Sequence, residues 1–142
     1  MSMRSTIPFR SEYKSAMISP EEINRISPAS WAYVGDAVYE LYVRSFYLMP
    51  PKRSRNYHQL VVGEVRAESQ ARHLKTLEPY LTDEELEIVR RGRNATFGTP
   101  KRLDREIYQQ ATSLETLIGY LYLTDFERLT ELLERLELQE SS

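Results

Sequence analysis

The chain has 142 residues, of which 41% are hydrophobic and 28% are charged, and its formal net charge is -2. This length and composition suit one compact globular domain, so residues 1–142 are interpreted as a single domain. Cysteine is absent and histidine occurs twice, which excludes a disulfide scaffold and thiolate sites and argues against a zinc site. Without an 18-residue apolar run or a signal-like N-terminus, the sequence predicts a cytoplasmic protein.

The charge is distributed unevenly along the chain. Residues 90–105 hold six basic residues against Asp104 alone, a local balance of +5, whereas residues 125–142 hold six acidic residues against Arg128 and Arg135, a balance of -4. The near-neutral total therefore conceals a basic segment and an acidic C-terminal segment.

The hydrophobic periodicity predicts helices throughout and no strand. Residues 1–18 lack a clear period and are expected to be poorly ordered. Ser19 and Ser27 each precede a proline and begin a helix, the second ending at the "MPP" of residues 49–51. Further helices are predicted over 56–78, from Thr82 to about Arg91, over 104–123 and over 125–138. The expected fold class is therefore all-α.

The helix that begins near Ser27 carries two carboxylates, Asp36 and Glu40, in a mostly apolar and aromatic sequence. A buried carboxylate without a partner is costly. The pair is either an exposed acidic pair beside Arg44 or a functional group set among aromatic rings. The predicted apolar face comprises Val34, Ala37, Val38, Leu41, Ser45 and Phe46.

Glu115, in "SLETLIGYLYL", shares a helical stripe with Ala111, Ile118 and Tyr122. A carboxylate on such a stripe needs a cation, a hydrogen-bond donor, a metal or a raised pKa. The alternatives are a buried pair with an arginine and a metal ligand. Gly119, one turn later, would let another helix approach closely.

Asp36 and Glu115 lie on different predicted helices, each against its local apolar pattern, and could meet in the fold. Carboxylate oxygens suit Mg²⁺ or Mn²⁺, and such a metal can activate water and neutralise a phosphate. Because no His or Cys cluster is available, the residues most readily permit a hard-metal hydrolase.

The segment "RGRNATFGTPKR", residues 91–102, is predicted to be a loop because of its Gly, Asn and Pro content. Its basic and small polar side chains can approach a phosphate backbone closely. The alternative is an ordinary solvated loop. The candidate RNA-binding residues are Arg91, Arg93, Asn94, Lys101 and Arg102.

Several segments resemble a known family. "AYVGDAVYELYVR" at 32–44 resembles the signature helix of ribonuclease III domains, and "LETLIGYLYL" at 114–123 resembles their second motif. "RAESQA" at 66–71 and "RGRNATFGTPK" at 91–101 extend the likeness to the Mini-III branch, small bacterial enzymes made of the catalytic domain alone. The resemblance spans about residues 28–123 and implies a dimeric ribonuclease III catalytic-domain bundle.

The resemblance also implies roles for single residues. Asp36 occupies the position of the catalytic, metal-binding aspartate and Glu115 that of the metal-binding glutamate. Two other carboxylates of full-length ribonuclease III are replaced here by Ala32 and Thr112. Mini-III enzymes have similarly few carboxylates there, so the likeness implies Mg²⁺, with Mn²⁺ as an alternative, held by few protein oxygens. Glu40 lies outside this set and is expected to support the site or to pair between helices.

The resemblance implies an endoribonuclease that cleaves double-stranded RNA, with precursor 23S ribosomal RNA as substrate, and leaves a 5′-phosphate and a 3′-hydroxyl. A two-fold homodimer would place its two sites on opposite strands. The helix of residues 32–48 would then pack on one side across the dimer interface. Gly35 would admit a neighbouring chain or RNA backbone beside Asp36.

Two other functions stay open at this point. Ala32 and Thr112 favour a catalytically inert, ribonuclease III-like module that binds RNA or the ribosome, whereas Asp36 and Glu115 oppose it. A helical scaffold with no nucleic-acid role is the third. Incubation with a long RNA duplex and Mg²⁺, then with EDTA, separates the three.

Overall fold

The computed structural model describes residues 18–95 and 104–138, and every regular element within them is a helix. The α-helices of this part are α1 (Pro20–Ile23), α2 (Pro28–Tyr47), α3 (Ser54–Val65), α4 (Ala67–Leu77), α5 (Asp83–Asn94), α6 (Arg105–Thr124) and α7 (Phe126–Glu134), with a 3-10 turn at Glu78–Tyr80. The predicted all-α fold is confirmed. The predictions for residues 1–17 and for Lys101 and Arg102 lie outside the described residues.

Helices α2 and α6, each of 20 residues, form the centre of the bundle. Their backbones touch at two glycines, because a Cβ placed on Gly35 would lie 1.7 Å from the Glu115 carbonyl oxygen and one on Gly119 would lie 1.7 Å from the Trp31 carbonyl oxygen. Gly119 thus admits another helix as predicted. The expectation for Gly35 is corrected, since its close neighbour is α6 of the same chain rather than a second chain or RNA.

Helix α2 is buried on two adjacent faces rather than on one. Tyr39 donates a hydrogen bond to the Glu64 carbonyl oxygen at the end of α3, and Tyr42 donates one to the Leu133 carbonyl oxygen in α7. The predicted apolar stripe was therefore wrong in part, because Ala37 and Leu41 are exposed. The buried residues are Trp31, Ala32, Gly35, Val38, Tyr39, Tyr42, Val43 and Tyr47.

The single helix predicted over 56–78 is in fact two helices, α3 and α4. Arg66 is extended, with φ -65° and ψ 154°, and it both ends α3 and precedes α4. Side chains from the first turn of α4 bind the carbonyl groups that α3 leaves free: Ser69 Oγ donates to the Gly63 oxygen at 2.7 Å, and Gln70 Nε2 donates to the Val65 oxygen at 2.9 Å. The break is therefore stabilised by side chains that a periodicity argument does not weigh.

Helix α5 begins at Thr82 as predicted, with a capping box in which Thr82 and Glu85 each bind the backbone of the other. Arg128 of α7 binds the Glu85 carboxylate at 2.8 and 2.9 Å, which fixes the start of α5 against α7. At its other end α5 continues to Asn94. Arg91, Arg93 and Asn94 are thus helical, and their prediction as loop residues was wrong.

Helix α7 ends at Glu134, four residues before the predicted boundary at 138. Leu136 and Leu138 are nevertheless buried and belong to the core, so the chain stays packed after the helix stops. Within residues 18–95 and 104–138, none of the helices combines the length and the apolar character needed to cross a membrane.

Candidate active site

A cavity of about 300 Å³ opens where the first halves of α2 and α6 meet the end of α5. Asp36 reaches it from α2 and Glu115 from α6, and Ala95, directly after α5, closes one side. The structure therefore brings together the two carboxylates that the sequence places on different helices. The lining residues are Pro28, Ala29, Ala32, Tyr33, Asp36, Ala95, Tyr108, Thr112, Glu115 and Thr116.

The carboxyl groups of Asp36 and Glu115 lie close enough at this cavity to interact. Asp36 is exposed, whereas Glu115 is partly buried. Burial of Glu115, followed by the hydrogen bond and the negative charge of Asp36, raises the pKa of Glu115 to about 8, and a hydrogen bond from Gln70 partly opposes that rise. Like charges this close cannot both ionise cheaply, so the pair is suited to bind a cation.

The donor set fits a hard divalent cation and does not fit zinc. Both candidate ligands offer carboxylate oxygens, which Mg²⁺ and Mn²⁺ prefer. Within the described part of the chain, no group of three or more His, Cys, Asp or Glu side chains is placed to hold a metal ion. An ion at Asp36 and Glu115 would therefore complete its coordination with water and substrate oxygens, as the two-carboxylate pattern of the sequence implies.

Ala32 and Thr112 line the same cavity as the two carboxylates. These are the positions at which the larger ribonuclease III family is expected to carry additional carboxylates. The Thr112 carbonyl oxygen accepts a hydrogen bond of 2.7 Å from Thr116 Oγ1, so this wall of the cavity is neutral and ordered within α6. The site is consequently less acidic than a four-carboxylate site would be.

The three acidic residues singled out in the sequence have different partners in the structure. Glu40 forms an exposed ion pair with Arg44, at 2.7 Å and one turn away on α2, so it pairs within its own helix rather than between helices. Asp36 is not part of this ion pair. Glu115 forms no ion pair with an arginine or lysine among the described residues, and the buried Glu–Arg alternative is not found there.

The described candidate RNA-binding residues lie in the helical turn that leads to the wall of the cavity. Arg91, Arg93 and Asn94 occupy the last turn of α5, and Ala95 follows in the cavity wall. This helix end presses against α6, since a Cβ on Gly92 would lie 2.5 Å from Thr116 Oγ1. Arg91 is also within 3.4 Å of Glu87. The position of this turn is therefore set by helix packing and not by a free loop.

Gln70 is the site residue that the sequence reasoning missed. Its segment, "RAESQA", contributes to the family resemblance, which implies no role for this glutamine. Gln70 is 4% exposed and interacts with Glu115. A signal was present, because Gln70 shares the apolar stripe of Ala67, Ala71 and Leu74.

Comparisons with known proteins show which proteins this chain resembles over most of its length. The family model described as "Ribonuclease III domain" matches residues 29–125. The Mini-ribonuclease 3 of Synechocystis sp. is 55% identical over 120 residues, which is 84% of both chains. That of Synechococcus sp. is 56% identical over 123 residues, which is 87% of this chain and 89% of the relative.

A solved structure also matches this fold. It is the crystal structure of a protein from Fusobacterium nucleatum, which superposes with a TM-score of 0.71 at 28% sequence identity, over 76% of this chain and 90% of the other. The long match to the domain model and the high identity to several relatives exceed what a shared helical architecture alone would give. The chain belongs to the ribonuclease III domain family and, within it, to the Mini-ribonuclease 3 proteins.

Proposed function

We propose that this chain matures the ends of precursor 23S ribosomal RNA, as a cytoplasmic homodimer that uses Mg²⁺ at Asp36 and Glu115. Its family membership makes it a double-strand-specific endoribonuclease, of a family that generally depends on divalent metal ions. The observation that carries the assignment of the site is the meeting of the Asp36 and Glu115 carboxyl groups at one open cavity.

Asp36 and Glu115 would hold the cation between them. When bound, a divalent cation neutralises phosphate charge and activates water for attack. Asp36 is the exposed member, so its carboxylate is placed to contact and orient the attacking water. Glu115 is partly buried and is placed mainly to bind the cation. Attack of water on the phosphodiester, with departure of the 3′ oxygen, leaves a 5′-phosphate and a 3′-hydroxyl.

The basic turn at the end of α5 supports binding of the RNA beside this site. Arg91, Arg93 and Asn94 precede Ala95 of the cavity wall, and Lys101 and Arg102 continue the basic segment in the sequence. Duplex RNA is recognised mainly through its phosphates and 2′-hydroxyl groups. Side chains of these types next to the cavity wall in the sequence would hold the backbone while one phosphodiester enters the site.

A stripe of exposed, mainly apolar side chains on α2, with Arg44 among them, supports the homodimer. Tyr33 is 83% exposed and Leu41, two turns later, is 39% exposed. Leu48, directly after the helix, is 56% exposed on the same side. Exposed apolar rows of this kind mark association surfaces. A second copy of the chain placed against this stripe would bury it and set two sites on one duplex.

The catalytically inert alternative has one observation in its favour, which is the neutral wall formed by Ala32 and Thr112. A cleavage assay on a long RNA duplex separates the two functions. The enzyme is expected to cut with Mg²⁺, to stop with EDTA, and to be inactive as Asp36→Asn. A second arm compares the paired ends of precursor 23S ribosomal RNA with an unrelated duplex of equal length. Equal cutting of both RNAs would contradict the proposed substrate. If neither RNA is cut, the result would support the catalytically inert module instead.

A further inference from the structure

We propose that Gly92 is a positioning residue for cleavage, whose contact with Thr116 sets the distance between the basic turn of α5 and Glu115. The inference rests on the proposed function, because it concerns the same RNA-binding turn and the same site. Gly92 lies between Arg91 and Arg93, and Thr116 directly follows Glu115. The contact therefore joins the two parts of the enzyme that one substrate would have to touch at the same time.

Gly92 is buried while its neighbours in the sequence are exposed. The buried residues of α5 are Glu85, Ile88 and Gly92, a spacing that places them on one face of the helix. Arg91 and Arg93 are exposed, and at about 100° per residue they flank Gly92 on its two sides. The last buried position of α5 is thus a residue without a side chain, with an arginine on each side of it.

The contact between α5 and α6 leaves no room for a methyl group at this position. A Cβ on Gly92 would lie 2.5 Å from Thr116 Oγ1, 2.7 Å from Thr116 Cβ and 3.1 Å from Ser113 Cα. Carbon atoms in favourable contact are about 3.5–4.0 Å apart, and rotation of the Thr116 side chain does not move its Cβ. Thr116 Oγ1 also donates a hydrogen bond of 2.7 Å to the Thr112 carbonyl oxygen. A methyl group would therefore separate the two helices by on the order of 1 Å.

The end of α5, rather than α6, is expected to move. Helix α6 is held from another side by α2, since a Cβ on Gly35 would lie 1.7 Å from the Glu115 carbonyl oxygen. The ion pair that fixes α5 is at its start, where Arg128 binds Glu85 at 2.8 and 2.9 Å. A methyl group on Gly92 would accordingly displace the basic turn and leave Glu115 in place.

Such a displacement should impair the chemical step more than the binding of RNA. Arg91 and Arg93 keep their charges, so the duplex would still be bound by its phosphates. The phosphodiester would be held about 1 Å from its proper place relative to Glu115, and a misplacement of this size can lower the rate by up to about 100-fold. Gly92→Ala is expected to reduce the single-turnover cleavage rate by roughly tenfold or more, with wild-type affinities for the duplex and for Mn²⁺.

The test uses the full chain and one defined RNA duplex. Three quantities are measured: the single-turnover cleavage rate with Mg²⁺, duplex affinity in EDTA over a salt series, and Mn²⁺ affinity by calorimetry without RNA. Gly63→Ala is the matched control, because it is the same change within a helix and nothing lies within 4 Å of the added Cβ. Slow cleavage with unchanged binding is expected in Gly92→Ala, and wild-type values are expected in Gly63→Ala.

A second substitution tests whether the contact itself is the cause. In Gly92→Ala, Thr116→Gly, the methyl group is moved from one side of the contact to the other, and the two Thr116 atoms that it would meet are removed. This double variant should recover much of the single-turnover rate that Gly92→Ala loses. A double variant that folds by circular dichroism and is as slow as Gly92→Ala would overturn the inference.

Other outcomes separate this inference from the proposed function. A wild-type cleavage rate in Gly92→Ala, or a loss of duplex affinity that accounts for its slower cleavage, would remove the positioning role and leave the nuclease assignment intact. A wild-type protein that does not cut the duplex would remove the proposed function as well.

Variants at Thr116 cover the case in which Gly92→Ala does not fold. Thr116→Ala opens a gap beside Gly92, whereas Thr116→Val keeps a side-chain atom in the place of Oγ1 and loses only the hydroxyl group. Thr116→Ala should therefore cut more slowly in single turnover than Thr116→Val, at equal duplex affinity. A rate in Thr116→Ala that equals or exceeds that of Thr116→Val would contradict a role for the packing between α5 and α6.

Discussion

Gly35 and Gly119 form one reciprocal contact between α2 and α6. A Cβ on Gly35 would lie 2.8 Å from the amide nitrogen of Gly119, and a Cβ on Gly119 would lie 2.9 Å from the amide nitrogen of Gly35. Gly35 directly precedes Asp36, and Glu115 lies one turn before Gly119. The packing of the two central helices and the assembly of the site are therefore determined by the same contact.

Alanine at either glycine is expected to destabilise the fold by about 2–4 kcal/mol, because the added methyl meets backbone that cannot move aside. Gly63→Ala is the matched control, since nothing lies within 4 Å of a Cβ there and alanine in a helix is more favourable than glycine by about 0.5–1 kcal/mol. Chemical denaturation of the three variants checks the prediction. Equal stability of Gly119→Ala and Gly63→Ala would contradict the close helix contact.

Asp36→Asn and Glu115→Gln are each expected to reduce duplex cleavage by about 100-fold or more while preserving the helical fold, because each removes a charge that would bind the cation. Raised Mn²⁺ should partly restore Glu115→Gln, whose role is mainly ligation, and restore Asp36→Asn less. Cleavage assays over a metal titration, with circular dichroism as the control for folding, test both variants. Full activity in either variant would remove that residue from the mechanism.

The raised pKa of Glu115 predicts a pH-dependent stability in the metal-free protein. Its pKa rises from the ordinary value of 4.5 to about 8 on folding, so the folded chain binds the proton more tightly than the unfolded chain. The contribution of Glu115 to the free energy of unfolding is thus fully present below pH 4.5 and is lost as the pH rises through about 8.

Glu115→Gln removes this ionisation. In EDTA, this variant should be about as stable as the wild type at pH 5. At pH 8.5 its free energy of unfolding should be higher than that of the wild type by on the order of 2 kcal/mol, after allowance for the partial exposure of Glu115. Melting curves at both pH values measure the effect. A variant that is less stable at pH 8.5 would show that the ionised carboxylate has a compensating partner.

Arg91 and Arg93 are expected to contact RNA phosphates. In the double variant Arg91→Gln, Arg93→Gln, each lost phosphate contact should reduce the slope of log affinity against log salt by roughly 0.7 to 0.9. Lys75→Gln, Arg135→Gln is a control with the same change in charge. Lys75 belongs to the last turn of α4, and Arg135 lies over the Tyr80 ring at 4.0 Å, so neither belongs to the end of α5 that leads to Ala95.

Duplex binding over a salt series, measured with metal-inactive Asp36→Asn protein, compares the two double variants. A slope that is unchanged in the arginine variant, or equally changed in both, would contradict direct phosphate contact at the end of α5.

Leu41→Glu is expected to convert the dimer to a monomer at micromolar concentration, because it places a charge in the centre of the exposed α2 stripe. Leu86→Glu is the matched control, since Leu86 lies on α5 and is also 39% exposed. Sedimentation of both variants and the wild type provides the measurement. A wild-type protein that is monomeric at that concentration would contradict the proposed homodimer.

Local signals predicted most helix starts. Ser19, Ser27 and Thr82 are the N-caps that the sequence indicated, because capping depends on residues close in sequence. Asp36 and Glu115 were singled out for a related reason, since each contradicts its local apolar pattern. Their positions only suggested that they could meet, and the resemblance supported it, because no spacing rule relates residues on different helices.

Features that depend on tertiary packing were not predictable in this way. The break at Arg66 contains no Gly or Pro and is stabilised by Ser69 and Gln70, which act only once α4 has turned back on α3. Arg91–Asn94 stays helical because Gly92 packs against Thr116. A prediction of one apolar face fails for α2, because neighbouring helices cover this helix on more than one side.

The contact between Gly35 and Gly119 also affects how the sequence can diverge. Because main-chain atoms set the separation of α2 and α6 beside the site, the distance between the two acidic groups does not depend on the bulk of neighbouring core side chains. In a redesign for thermal stability, exchange of Leu114, Leu117 or Val38 for other aliphatic residues is therefore expected to change the free energy of unfolding while preserving the spacing of the ligands.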